Sequence, residues 1–421
     1  MDAISISEAA TWSIAAFATG GVIFRPWGAP EALWAVLGAV ALVVLALVPW
    51  HAALAAVAKG TDVYLFLLGM MLLAEMARRE GLFDWLAAHA AEAARGSRAR
   101  LFTLVYGVGI LVTAFLSNDA TAVVLTPAVY AAAKAARTPP LPYLVACAMI
   151  ANAASFILPI SNPANLVLYG NRMPPLLSWL AQFALPSVLS ISATYAVLRL
   201  LYRHELQGKM TPAVEKPKLG AAGRYAAFGI GVTAIILLVA SALDIRLGAP
   251  TFAAGAATAI FVLLEKRGAP WDLLKGISWG VLPLVAGLFV LVEGLNRTGV
   301  VAQLSELLRW GISTSEASTA WLGGLGLGVA ANLMNNLPAG LIAESAATPV
   351  SPPSVVTGAL LIGVDLGPNL SVTGSLATIL WLIALKREGE TCTSFQFLKI
   401  GVLAMPPALV LALAALIYAS P

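Results

Sequence analysis

The sequence predicts an all-α integral membrane protein with two inverted repeats, about ten transmembrane helices, two re-entrant hairpins and helices broken in mid-span. Three observations carry this. The hydrophobic fraction is 60% and the charged fraction only 11%, where a soluble domain of this length holds roughly twice that charge. The apolar residues fall into runs long enough to cross a bilayer. Polar clusters interrupt four of those runs at positions related by an internal repeat.

A bilayer core asks for about 20 apolar residues per helix. Such runs lie at 9–26, 31–49, 61–79, 141–169, 176–202, 225–244, 250–265, 278–296, 354–385 and 396–419. Two further apolar stretches, 101–135 and 317–348, are split by Ser117-Asn118-Asp119 and by Asn335-Asn336. A polar break inside apolar sequence suits a hairpin whose tip faces protein or water and not lipid. Segments 82–94 and 300–312 read as amphipathic interfacial helices. Trp27, Trp50, Trp271, Trp279 and Trp310 stand near span ends, where indole anchors a helix at the interface.

Charge sets the orientation. With the N-terminus outside, 20 of the 25 Lys and Arg residues fall inside, Lys216 and Arg267 among them. Only Lys59, Arg172, Arg246, Arg297 and Arg309 remain outside, the asymmetry expected of a multi-pass membrane protein with both termini outside. Asp2 and Glu8 make the N-terminus acidic, where a cleavable signal peptide is basic. The net charge of +4 is spread over short loops and is no nucleic-acid footprint. Cys147 and Cys392 give neither a disulfide framework nor a metal-ligand spacing. His51, His89 and His204 fall near membrane faces or in loops and read as solvated. No GxxxxGK[ST] run is present, so an energy source within this chain is an ion gradient, and no cofactor is expected.

The halves match each other. An offset of 218 places Gly69 on Gly287, Glu75 on Glu293, Arg79 on Arg297, Gly81 on Gly299 and Asn118 on Asn336. An offset of 213 places Asn152 on Asp365 and Asn162 on Ser375. Gly28-Ala29-Pro30 pairs with Gly248-Ala249-Pro250, and Pro49-Trp50 with Pro270-Trp271. Residue 28 would be cytoplasmic and residue 248 outside, so the repeats are inverted, a recurring plan of secondary transporters. The expected division is an N-terminal helix at 1–27, a first repeat at 28–203, a cytoplasmic linker with a connecting helix at 204–247, and a second repeat at 248–421.

Four polar clusters mark the candidate site. They contain Ser117, Asn118 and Asp119; Ser161, Asn162 and Asn165; Asn335 and Asn336; and Asp365, Asn369, Thr373 and Ser375. Pro and Gly stop helices there and free backbone groups. Half-helix ends would then point dipoles at a shared locus near the midplane. Asn, Ser and Thr donate and accept without charge, and no Lys or Arg lies within the clusters, which suits a small neutral polyhydroxyl solute. Asn and Ser also serve as interhelical glue, but four clusters at repeat-related places favour a binding site. Ionisable groups inside a membrane are costly and functional by default. Asp119 and Asp365 are the candidate proton carriers, with Glu344 a third. Glu75 and Glu293 read as structural, pairing with local polar groups, and Asp62 as an interfacial cap.

These segments resemble one family. FLSNDATAVVLTP at 115–127, SNPANLV at 161–167, MNNLPAGL at 334–341 and GVDLGPNLSVTGSLATILWL at 363–382 are similar to the corresponding segments of ArsB-type arsenite efflux pumps of the ion transporter superfamily. Asn369 departs from the pattern, where many relatives carry Lys. The resemblance runs from about residue 30 to the C-terminus. It implies an elevator-like scaffold, efflux of arsenite and antimonite driven by proton influx, and, in some relatives, a soluble ATPase subunit as partner. Arsenous acid is a neutral trihydroxide, so reversible binding by oxygen and amide groups fits it, and neither cysteine is expected to be needed. The rival within the superfamily is a Na⁺/H⁺ antiporter or a carboxylate transporter. A passive channel is a further rival, separated by whether transport needs a pH gradient. The rival from another class, an intramembrane aspartyl protease using Asp119 and Asp365, lacks the expected G-x-G-D, since the second aspartate lies in Gly-Val-Asp-Leu-Gly.

Overall fold

The structure is a computed structural model describing residues 5–170, 172–211, 217–266 and 268–419. Asp2, Lys216 and Arg267, used in the charge reading, lie outside the described residues. Regular structure among the described residues is helical. The first half contains α1 (Ile6–Phe24), α2 (Glu31–Val44), α3 (Trp50–Lys59), α4 (Thr61–Arg79), α5 (Leu82–Ala93), α6 (Arg98–Phe115), α7 (Thr126–Ala135), α8 (Leu141–Ala153), α9 (Pro163–Tyr169) and α10 (Leu176–Leu201). The second contains α11 (Ala221–Ala242), α12 (Gly248–Lys266), α13 (Pro270–Gly276), α14 (Val281–Arg297), α15 (Val300–Thr314), α16 (Glu316–Met334), α17 (Asn336–Ala347), α18 (Ser354–Leu366), α19 (Leu376–Arg387) and α20 (Ser394–Ala419).

The two series correspond member by member. The pair α3–α4 is bent by 48° and the pair α13–α14 by 45°. Helices α10 and α20 each run 26 residues and each carry proline inside, Pro186 in one and Pro406 and Pro407 in the other. Helices α3 and α13 were not among the expected elements, although each starts at one of the two Pro-Trp pairs that the repeat had aligned. Proline at a first turn loses no hydrogen bond and presets φ, so those pairs were helix starts.

Packing repeats the correspondence. Helix α4 lies against α12, and α14 against α2. A methyl on Gly69 would stand 2.4 Å from the Thr251 carbonyl oxygen, and one on Gly287 2.7 Å from the Ala35 carbonyl carbon. These repeat-related glycines thus bring the helices of each frame pair into backbone contact, as small residues do between membrane helices. Helix α1 packs on α2 and α14, while α11 packs on α12 and α4. Each hairpin then packs beside its own broken helix, α6 on α8 and α16 on α18, and reaches the other half through α7 on α19 and α17 on α9.

Among the described residues five helices, α6, α10, α11, α12 and α20, are long and apolar enough to cross a bilayer, and the two bent pairs bring this to seven. Of the other expected crossings, those at 9–26 and 31–49 are α1 of 19 residues and α2 of 14, which fall short in length or apolar character, and the rest are assembled differently. Helices α8 and α9, and likewise α18 and α19, are half-helices joined through the polar clusters. In the first hairpin, α6 extends about 27 Å at 1.5 Å per residue, and its return arm opens with a π-helical stretch at Ala120–Leu125 before α7. In the second, α17 starts directly after Asn335, whose φ of 76° makes the reversal.

Candidate substrate-binding site

Each hairpin tip is fixed to the break of its own half by one matching hydrogen bond. The Asn118 amide donates to the Ser161 carbonyl at 3.0 Å, and the Asn336 amide to the Gly374 carbonyl at 2.9 Å. The following residue caps a half-helix in both halves: Asn162 Oδ1 accepts from the Ala164 amide at 3.0 Å, and Ser375 Oγ from the Ala377 amide at 3.2 Å. The tips are capped too. Ser117 Oγ accepts from the Ala120 amide, and Asn335 Oδ1 from the Leu337 amide. Unpaired amides at a helix start need such acceptors, so these polar residues are what allows a helix to stop and restart within apolar surroundings.

The halves are also joined to each other. Asn162 Nδ2 donates to Asp365 Oδ1 at 2.8 Å, and Asn152 Nδ2 donates to Asn369 Oδ1 at 3.0 Å. Asn369 Nδ2 in turn donates to the Met149 carbonyl. All four side chains are fully or almost fully buried. Asn165 donates to the carbonyls of Ser155, Leu158 and Pro159, holding the break that precedes α9. Ser161 Oγ donates to the Ala114 carbonyl. Asn165 and Asn369 thus turn their amide groups into the protein, whereas the tip and cap residues bound the junction of each hairpin with the broken helix of its own half.

The three carboxylates occupy three different surroundings. Asp119 is half-buried and lines a cavity of about 810 Å³, along with Ser117, Ala120, Pro163, Met70, Met71 and Ala74. Asp365 is fully buried, with Oδ2 lacking a partner among the described residues. Glu344 lies further along α17, accepting from Thr348 and Ser345, and shares no hydrogen bond with either aspartate. Glu75 accepts two bonds from Arg78, at 2.7 and 2.6 Å, and lies 3.5 Å from Arg79; Glu293 accepts from Arg297. Local arginines therefore satisfy both glutamates. Asp62 accepts from the Gly248 amide at the start of α12.

Two features were not singled out in the sequence. Asn332 donates to the carbonyls of Gly328 and Gly367 and accepts from the amide and hydroxyl of Ser371, while its own carbonyl accepts from Thr373. A single Asn inside the apolar run of α16 was the available signal. The 810 Å³ cavity is also lined by Arg25, Arg78, Lys275 and Arg387. All four are cations that charge asymmetry assigns to the inner face. They lie far apart in sequence and outside the clusters, so only the fold brings them to one cavity. A second cavity of about 680 Å³, bounded by α1, α14, α16 and α17, reaches Asn332 and Thr373 and is otherwise almost wholly apolar.

The profile of the citrate transporter family, CitMHS, matches residues 14–364. An "Arsenical pump membrane protein" of Escherichia coli (strain K12) is 28% identical over 362 residues, covering 80% of this chain and 81% of the relative. Another of that name from Yersinia enterocolitica is 27% identical over 348 residues, with the same coverage of 80% and 81%. Among solved structures, the Alcanivorax borkumensis YdaH transporter, described as having an unusual topology, superposes with a TM-score of 0.57 at 14% identity, covering 87% of this chain and 86% of that one.

Proposed function

This chain belongs to the CitMHS citrate transporter family, and from that premise we propose that it is a secondary active transporter that exports As(III) and Sb(III) hydroxides from the cytoplasm in exchange for protons. It is a multi-pass membrane transport protein of ArsB type. The observation that carries the finer reading is that each hairpin tip is fixed to a capped half-helix of its own half by uncharged donors and acceptors, the first of them beside a cavity lined by Ser117 and Asp119. Neutral As(OH)3 needs hydrogen-bond partners and no counter-charge. Asn118, Asn162, Asn336 and Ser375, supported by Ser117 and Asn335, are the proposed contacts. Asn165, Asn369, Ser161 and Thr373 keep the breaks and tips in place around them.

In the proposed cycle, the solute reaches the tips through the 810 Å³ cavity from the side of Arg78, Lys275 and Arg387. Asp119 is the proposed carrier in contact with that cavity. Asp365, tied to Asn162, is the proposed group through which protonation in the second half is felt at the cap of the first half. Coupling requires that the two access states differ in their affinity for proton and solute. The proposed scaffold is an inverted repeat whose halves begin at α1 and α11, one helix earlier than the residue matches alone indicate. The proposed location is a bacterial inner membrane with both termini outside.

The test is As(III) uptake into everted membrane vesicles, with and without an imposed pH gradient, for wild type and Asp119→Asn. Gradient-dependent uptake lost in Asp119→Asn supports the reading. Vesicles that ignore As(III) and accumulate a carboxylate would replace it with a second reading, favoured by the four cations lining the cavity and by the family's description.

A further inference from the structure

The mouth of the 810 Å³ cavity has a composition that neutral solute transport does not call for. Arg25 comes to it from the end of α1, Lys275 from α13 and Arg387 from the end of α19. Lys275 and Arg387 are exposed and have no hydrogen-bond or ion-pair partner among the described residues. Arg25 is held near Glu31 at 3.1 Å, but its Nε has no hydrogen-bond acceptor. Glu388 also lines the cavity and Glu31 pairs with Arg25, so Lys275 and Arg387 supply the excess positive charge of the rim.

Three tryptophans stand beside these cations. Trp27 is two residues from Arg25 and 93% exposed. Trp271 is one helical turn before Lys275 and 72% exposed, and Trp279 follows the same short helix, its indole donating to the Leu274 carbonyl. The two sets are adjacent in space, since Gly280 sits against Ala32 at the start of α2, a few residues from Trp27. Tryptophan concentrates at the headgroup level of a bilayer, and basic clusters on the cytoplasmic side of helix bundles attract anionic headgroups. Exposed indoles on the segments that carry unpaired ammonium or guanidinium groups fit a ligand that is apolar at one end and anionic at the other.

We infer that this rim is a binding site for an anionic phospholipid of the inner leaflet, with its phosphate against Lys275 and Arg387 and its glycerol and upper acyl region against Trp27 and Trp271. The site uses Lys275, Arg387, Trp27 and Trp271 and none of the tip or cap residues. It rests on the reading of a neutral cargo, since a carboxylate cargo would itself call on these cations, and the lipid-binding test below is read without any solute.

The experiment places the full chain in phosphatidylcholine vesicles carrying brominated phosphatidylglycerol, or brominated phosphatidylcholine at the same fraction, and reads tryptophan quenching. Wild type should show an increment specific to phosphatidylglycerol, and Trp271→Phe should reduce it. Each charge near a membrane surface changes the affinity about fivefold, so Lys275→Gln with Arg387→Gln should weaken the interaction roughly 25-fold. Lys275→Arg with Arg387→Lys should retain it. Both side chains are exposed and unpartnered, so folding is not expected to suffer, and native mass spectrometry of the wild type counts retained phosphatidylglycerol without any variant. Equal quenching by the two lipids overturns the inference, as does a preference unmoved in the double Gln variant. Displacement of phosphatidylglycerol by millimolar inorganic phosphate also overturns it, in favour of a site for free anions.

Discussion

Asn162 makes two bonds whose energies can be separated. Its Oδ1 caps α9 at the Ala164 amide, and its Nδ2 reaches across to Asp365 Oδ1 at 2.8 Å in the other half. A lost N-cap costs about 1 kcal/mol. A buried hydrogen bond to a carboxyl group between membrane helices contributes about 1.5 kcal/mol. Asn162→Ala should therefore destabilise the protein by about 2.5 kcal/mol. Asn162→Ser keeps an oxygen for the cap but is too short to reach Asp365, so it should cost only about 1.5 kcal/mol. Reversible unfolding in mixed micelles gives these values. Combining Asn162→Ser with Asp365→Ala completes a double-mutant cycle whose interaction energy should be about 1.5 kcal/mol, a tenfold change in the unfolding constant. If the two substitutions add to within about 0.5 kcal/mol, the bond does not couple the halves and the proposed route from Asp365 to the cap fails.

Three further outcomes are expected. Gly69→Val should prevent stable assembly, because its Cβ would meet the Thr251 backbone at 2.4 Å and backbone cannot swing aside; Gly107→Ala, with nothing within 4 Å of the added methyl, should leave the melting temperature in detergent unchanged or raise it. Cys147→Ser with Cys392→Ser should retain As(III) uptake, since neither thiol reaches the tips or caps; loss of uptake at normal abundance would show that a thiol takes part. Burial pushes the Cys392 thiol above its ordinary value, so its thiolate is scarce at neutral pH, and maleimide labelling should rise about tenfold per pH unit through mildly alkaline conditions; a rate independent of pH in that range contradicts the assignment.

The parts legible in the sequence were those with local causes. Asn162-Pro163 and Ser375-Leu376 announce helix starts, because a side-chain acceptor precedes the first turn and, in one case, proline fills it. The correspondence of the two helix series was legible because helix pairs that pack alike need the same small residue at the same approach, as at Gly69 and Gly287. The cavity cations were illegible for a physical reason. Arg25, Arg78, Lys275 and Arg387 end four different helices, and only the path of those helices decides that they share a cavity. The roles of Asn165 and Asn369 were equally hidden, since an Asn that binds a solute and one that staples a helix break look identical until the carbonyls around them are placed.

The halves are alike in plan and unlike in how firmly each hairpin is held. Asn332 spends both amide hydrogens and both lone pairs of its side chain on the second hairpin and its neighbouring break. The offset that aligns Asn118 with Asn336 places Ala114 at the matching position of the first hairpin, which offers only a carbonyl to Ser161. That hairpin also returns through a π-helical stretch, a feature frequent where helices serve function over regularity. It is the first hairpin, with Asp119 and Ser117, that meets the open polar cavity, whereas the second faces an apolar one. In the proposed exchange, hairpins fastened this unequally would present proton and solute with sites of unequal affinity, and differential affinity is what lets a ligand bias an equilibrium.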